Sequence, residues 1–199
     1  MCMCRLVAYL GKPLVIDDLL FKPKNSLVQQ SLHAQESDIL VNGDGFGLGW
    51  YNHDIDSIPG LFTSIQPAWN NRNLRNISKH VSTNCFLAHV RSATTGYVSQ
   101  SNCHPFKYND LLFMHNGEIG HFSKIKRALR AGLDDHSYDW IDGQTDSEHL
   151  FALVLHRLQQ SKTPQSVDGL SQVLADTIKQ IEELTEPFQQ KKASRTNLN

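Results

Sequence analysis

Four glycines in strict alternation, Gly43, Gly45, Gly47 and Gly49, constrain this chain more than any other feature. They lie in Asn42-Gly43-Asp44-Gly45-Phe46-Gly47-Leu48-Gly49-Trp50-Tyr51, where aromatic residues follow at the point at which a phosphate-binding loop would open a helix. A dinucleotide or P-loop reading is therefore poor. As a strand, a period of two puts the glycines on one face and Asp44, Phe46, Leu48 and Trp50 on the other. One face is packed and the other is bare. A bare face implies that another backbone or a ligand comes close, or else that the segment is a turn entering a glycine-rich hairpin. Both readings stay open at this point.

Composition limits the classes of partner. The 199 residues are 40% hydrophobic and 20% charged with a formal net charge of -1, which suits one globular domain over residues 1–199. Nucleic acid calls for a clustered basic surface, and the runs Lys124-Ile125-Lys126-Arg127 and Lys191-Lys192 are short enough to be solvated helix faces. No apolar run approaches the roughly 18 residues a membrane helix needs. No nucleic-acid or membrane partner is expected. The cysteines are Cys2, Cys4, Cys85 and Cys103, and the start has neither a charged n-region nor a long apolar h-region. A reducing cytoplasm is the natural compartment.

The opening Met1-Cys2-Met3-Cys4-Arg5 runs into the apolar stretch Leu6 to Leu10. A cysteine at the start of a mature chain holds its own base, because its α-amine (pKa roughly 7.7 to 8.0) can take the thiol proton (pKa roughly 8.5). The plain alternative is two ordinary cysteines leading into an edge strand. Further on, Pro13 to Phe21 has helical spacing, and Lys22 to Asp38 reads as loop with some helix. Leu61 to Trp69 reads as a strand. Asn73 to Val81 reads as a short helix with Asn70 or Asn71 as cap.

Cys85 to Arg91 is a buried strand ending in the turn-forming Ser92 to Gly96. Arg91 at that junction suits either a bidentate grip on a carboxylate or an internal salt bridge. Leu111 to Glu118 repeats the pattern, stopping at Asn116-Gly117. Asn-Gly is a strong hairpin signal, yet a helix-like stretch follows over residues 121–133. An Asn amide beside a Gly N–H also supplies two adjacent donors for an oxyanion. Thr145 and Glu148 form a capping box ahead of the apolar run Leu150 to Leu158, with Asp146 in the first turn. A last helix spans about Pro164 to Glu183.

The ordered set of motifs resembles the class II glutamine amidotransferases, amidohydrolases whose nucleophile is the N-terminal residue. Met3-Cys4-Arg5-Leu6 with Ala8-Tyr9-Leu10-Gly11 is similar to the family start. Asn42 to Gly47, Ala88 to Thr94, His115-Asn116-Gly117-Glu118 and Thr145-Asp146-Ser147-Glu148 are similar to the later motifs, in order. The likeness is to the stand-alone type, as in the ergothioneine-pathway amidohydrolase and the glutathione-degrading amidotransferase subunit of yeast. It implies an α+β fold, a four-layer α/β/β/α sandwich of the Ntn-hydrolase type. It also implies that the cysteine thiolate attacks the γ-carbonyl of glutamine or another γ-glutamyl compound. The Asn116 side chain and Gly117 N–H would then hold the oxyanion, Arg91 with Thr94 the substrate α-carboxylate, and Asp146 its α-ammonium. No cofactor or metal is implied.

Two features depart from the family pattern. The register selects Cys4 as nucleophile, with translation starting at Met3, whereas removal of Met1 exposes Cys2. The sequence also stops at Thr196-Asn197-Leu198-Asn199, where a further strand is expected, so the domain reads as truncated with its C-terminal strands missing. Two other classes remain. A zinc module built from Cys2, Cys4, Cys103 and His104 does not match the usual zinc spacings. A non-catalytic subunit could keep the fold and bind a γ-glutamyl ligand or a partner subunit.

Overall fold

The computed structural model describes residues 4–32, 43–92, 97–162 and 166–195. The chain packs as two units, Met1–Gly117 and Glu118–Asn199. The first holds β1 (Arg5–Val15), α1 (Asp17–Leu20), α2 (Leu27–Leu32), β2 (Phe46–Asn52), β3 (Asp56–Ser64), α3 (Arg72–His80), β4 (Ser82–Val90), β5 (Phe106–Tyr108) and β6 (Leu111–Phe113). Four strands form one antiparallel sheet in the order β1-β4-β2-β3, and β5 and β6 make a separate hairpin.

Two of the alternating glycines, Gly47 and Gly49, lie in β2, where Phe46 pairs with Val90, Gly47 with His89 and Leu48 with Ala88. Phe46, Leu48, Phe86, Ala88 and Val90 share one face, buried with Leu20, Leu27 and Leu74 of the helices beside it. On the opposite face, a Cβ at Gly47 would lie 2.1 Å from the His104 carbonyl oxygen, and one at Gly49 would lie 2.7 Å from Leu112 Cδ1 and 2.9 Å from Pro105 Cγ. Backbone therefore approaches the bare face closely, which is the first of the two readings of the glycine pattern. Gly45, with φ 112°, takes a conformation that favours glycine.

The other elements follow local signals with some shifts. Asn71 caps α3 by accepting a hydrogen bond from Leu74 N at 2.8 Å. The strand expected over Leu61 to Trp69 starts earlier, at Asp56, and stops at Ser64; Pro67, which has no N–H for a ladder, then leads into a 3₁₀ turn over Ala68–Asn70. Pro13 to Val15 extend β1 rather than opening a helix, leaving α1 only Asp17–Leu20.

The second unit is helical: α4 (Phe122–Ala131), α5 (Asp135–Asp139), α6 (Asp146–Gln160) and α7 (Val167–Arg195). Phe151, Ala152, Leu153, Val154 and Leu155 are all buried, so α6 is apolar around its circumference, and α4, α5 and α7 each pack on it. The last helix continues past Glu183 and through Pro187, further than expected. Among the described residues, no helix is long and apolar enough to cross a membrane.

Candidate functional site

In the first unit the start of β1 meets the end of β4. Arg5 pairs with Val90, which sets the preceding Cys4 beside Arg91 and Ser92. Cys4 is 6% exposed, and its Sγ accepts a hydrogen bond from Ser92 N at 3.3 Å while lying 3.5 Å from Ser92 O. The N–H donated to sulfur favours the thiolate, whereas the S–H donated to Ser92 O favours the thiol. Asn116 joins from beyond β6, its Nδ2 donating to Cys4 O at 3.1 Å, and Arg5 Nη1 donates to the same oxygen at 3.4 Å. Cys4, Ser92 and Asn116 thus converge, although they lie far apart in sequence.

Arg91 is 5% exposed and locked through its backbone, with its N–H donating to Gly45 O at 2.8 Å and its carbonyl accepting from Asp44 N at 3.2 Å. Its Nη1 donates to Tyr97 O at 3.3 Å, an oxygen that also accepts from Asn102 Nδ2 at 2.9 Å. Gly117 follows Asn116 on the surface, and a Cβ there would press on the His115 ring at 2.8 Å. The Asn-Gly pair leads into α4 rather than a hairpin; the hairpin turn lies earlier, between β5 and β6, where Asn109 has φ 50°. Cys2 and Thr94 lie outside the described residues.

The glycine face of the sheet carries a buried histidine pair. His89 Nε2 and His104 Nδ1 are 3.3 Å apart, and the rings are tilted at 56° with centroids 4.4 Å apart. Burial lowers the pKa of His89 to about 3 and that of His104 well below its ordinary value, with Arg91 and His115 adding repulsion. Both rings are therefore neutral at neutral pH. Burial also pushes the Cys103 thiol up to about 11, against the opposing field of Arg91, and raises Cys85 as well. Neither is a poised nucleophile. Among the described residues no group of three or more His, Cys, Asp or Glu could hold a metal.

In the second unit, Asp146 opens α6 and is 8% exposed. Its Oδ2 accepts from Ile119 N and its Oδ1 from Ser147 N, each at 2.8 Å, so the carboxylate is pinned by two backbone donors. Thr145 caps the helix by accepting from Glu148 N at 3.2 Å. The expected capping box is only half made, because Glu148 Oε1 reaches instead to the N–H groups of Asp142 and Gly143 at 2.8 and 2.7 Å. Sequence reasoning missed Ser92 and Asn102 as members of these networks. Ser92 acts through its backbone N–H, which no residue type signals.

A family model for class II glutamine amidotransferases matches residues 23–187. The chain belongs to this family. Over 175 residues it is 41% identical to the probable glutamine amidotransferase DUG3 of Saccharomyces cerevisiae, covering 84% of this chain and 49% of that protein. It is also 34% identical over 119 residues to the gamma-glutamyl-hercynylcysteine sulfoxide hydrolase of Mycolicibacterium smegmatis, covering 59% of this chain and 52% of that one. The chain thus spans about half the length of these curated relatives. Among solved structures, a glutamine aminotransferase class-II domain protein from Silicibacter pomeroyi superposes with a TM-score of 0.64 at 30% identity, covering 92% of this chain and 65% of that one. The antiparallel sheets and helices of this class II amidotransferase are thus those of a solved member of the family.

Proposed function

We propose that this protein hydrolyses the γ-amide of glutamine or of a related γ-glutamyl compound, with Cys4 as nucleophile. The observation that carries the reading is the convergence of Cys4 Sγ, the Ser92 N–H and the Asn116 amide at the junction of β1 and β4. The relatives, a probable glutamine amidotransferase and a gamma-glutamyl-hercynylcysteine sulfoxide hydrolase, support the substrate class.

The chemistry follows from the donors. In a chain that begins at Cys4, the α-amine takes the thiol proton and the Ser92 N–H favours the resulting thiolate. Sulfur attacks the γ-carbonyl, and the oxyanion is held by Asn116 and the Gly117 N–H. An amide NH₂ has two donors, and the bond to Cys4 O uses one of them. The C–N bond breaks, ammonia or an amine leaves with the proton held by the α-amine, and water then cleaves the glutamyl thioester. Arg91 with Thr94 takes the substrate α-carboxylate, and Asp146 its α-ammonium, because a zwitterion needs one fixed cation and one fixed anion. Should the chain instead begin at Cys2, that residue would take the nucleophile's place. Thiols at Cys85 and Cys103 suit a reducing cytoplasm.

The test is ammonia release from glutamine and amine release from γ-glutamyl amides. Cys4→Ala abolishes turnover, and Asn116→Ala lowers kcat on the order of a hundredfold or more. Full activity in folded Cys4→Ala would refute the assignment.

A further inference from the structure

Helix α4 is charged with one sign only. It carries Lys124, Lys126, Arg127 and Arg130 and no carboxylate, and two of these cations, Lys124 and Lys126, sit in its N-terminal half, where the helix dipole disfavours them. Ser123, Lys126, Arg127 and Arg130 follow the i, i+3, i+4, i+7 spacing of a single helical face. With Ala131 and Tyr138 of α5 they line an open groove of about 490 Å³ that contains no acidic side chain. Like charges on one face destabilise a helix.

These side chains are not simply splayed into water. Lys126 and Arg130 are half-buried. Arg130 Nε donates to His149 Nε2 at 2.8 Å, and its guanidinium carbon lies 5.7 Å from the centre of the Tyr138 ring. His149 Nδ1 lies 2.7 Å from Thr145 O, a carbonyl that only accepts, so Nδ1 carries the proton and Nε2 is the acceptor for Arg130. The residue that fixes Arg130 is therefore neutral and leaves its charge intact. Among the described residues no carboxylate forms an ion pair with Lys126, Arg127 or Arg130. Glu148 on α6 acts on Lys126 and Arg130 through the field, but its Oε1 is taken by the Asp142 and Gly143 N–H groups. This buried carboxylate acts on two of the three cations, Lys126 and Arg130, and pairs with neither.

We propose that this face of α4 binds a small, multiply charged oxyanion of the phosphate class, with Lys126, Arg127 and Arg130 on the anion and Tyr138 beside any organic part. A fixed guanidinium matches phosphate oxygens. The patch is confined to one short helix in a chain of net charge -1, which suits a small anion better than a nucleic acid. The site is independent of the catalytic reading.

The test is calorimetric titration of the full chain with pyrophosphate, inorganic phosphate and phenyl phosphate, at constant ionic strength set with chloride. Saturable pyrophosphate binding is expected, weakened at least about tenfold in Lys126→Gln/Arg127→Gln and measurably in the exposed single variant Arg127→Gln. Lys179→Gln, outside the patch, binds like the parent. Phenyl phosphate binding tighter than phosphate, with the gain lost in Tyr138→Ala, assigns a phosphorylated organic molecule; equal binding assigns the free ion. Absence of saturation, or equal binding by the folded double variant, overturns the proposal. So does tighter binding of a glutamate oligomer than of pyrophosphate, which would assign the face to an acidic protein segment.

Discussion

The two faces of β2 are built from the same seven residues and are filled in opposite ways. One presents Phe46 and Leu48 to an apolar core, where side chains supply the contacts. The other presents Gly47 to the His104 carbonyl and Gly49 to the side chains of Pro105 and Leu112, where the absence of a side chain is the contact. The packed face gains from apolar area removed from water. The glycine face gains nothing of that kind from its own residues, and instead allows a second chain segment, with a polar histidine pair, to lie directly on the sheet.

That contrast is broken most severely by Gly47→Ala. A methyl group 2.1 Å from a backbone carbonyl cannot be relieved by a rotamer change, so the segment holding His104 must move away. We expect this variant to lose its cooperative unfolding transition in urea. The next effect is on the opposite face, where Leu48→Ala empties a fully buried site and lowers stability by about 2–5 kcal/mol in the same experiment, without abolishing the transition.

The effect that is smallest per residue and per pH unit separates the faces by their chemistry. His89, His104 and, in the second unit, His149 all have folded-state pKa values below the ordinary 6.5, to about 3 for His89 and about 4 for His149, each through burial first. As pH falls below 6.5 the unfolded chain takes up these protons and the folded chain does not. Stability present above pH 6.5 is therefore lost as pH drops toward 4 and then 3, by up to about 1.4 kcal/mol per pH unit for each histidine. Urea unfolding as a function of pH checks this. Leu48→Val, on the face without titrating groups, should lower the curve by a similar amount at every pH.

The strand at Phe46–Asn52 was legible because alternation is a direct record of the pleat. The Asn71 cap and the start of α6 at Thr145 were legible because capping side chains act on backbone groups two or three residues away. Less local features left weaker marks. Strands β5 and β6 are three residues each, too short for a period to show, and their hairpin turns at Asn109 rather than at the more obvious Asn116-Gly117. The helix α7 runs through Pro187, a residue that ordinarily argues for a stop. The chemistry of the candidate site divides in the same way. Cys4, Arg91, Asn116 and Asp146 stand out by residue type, whereas the donor on the Cys4 sulfur is the Ser92 main chain, and the partners of Asp146 are the N–H groups of Ile119 and Ser147. The basic run in α4 was read as a solvated face because nothing in its sequence reveals the buried His149 that holds Arg130.

The central claim is the identity of the nucleophile, and it is tested most directly by intact mass and peptide mapping before and after exposure to an electrophilic glutamine analogue. The account predicts a mature chain beginning at Cys4 that gains one adduct on that residue. A folded chain with a free Cys4 amine that stays unmodified, or one modified at Cys2, Cys85 or Cys103 instead, would contradict it.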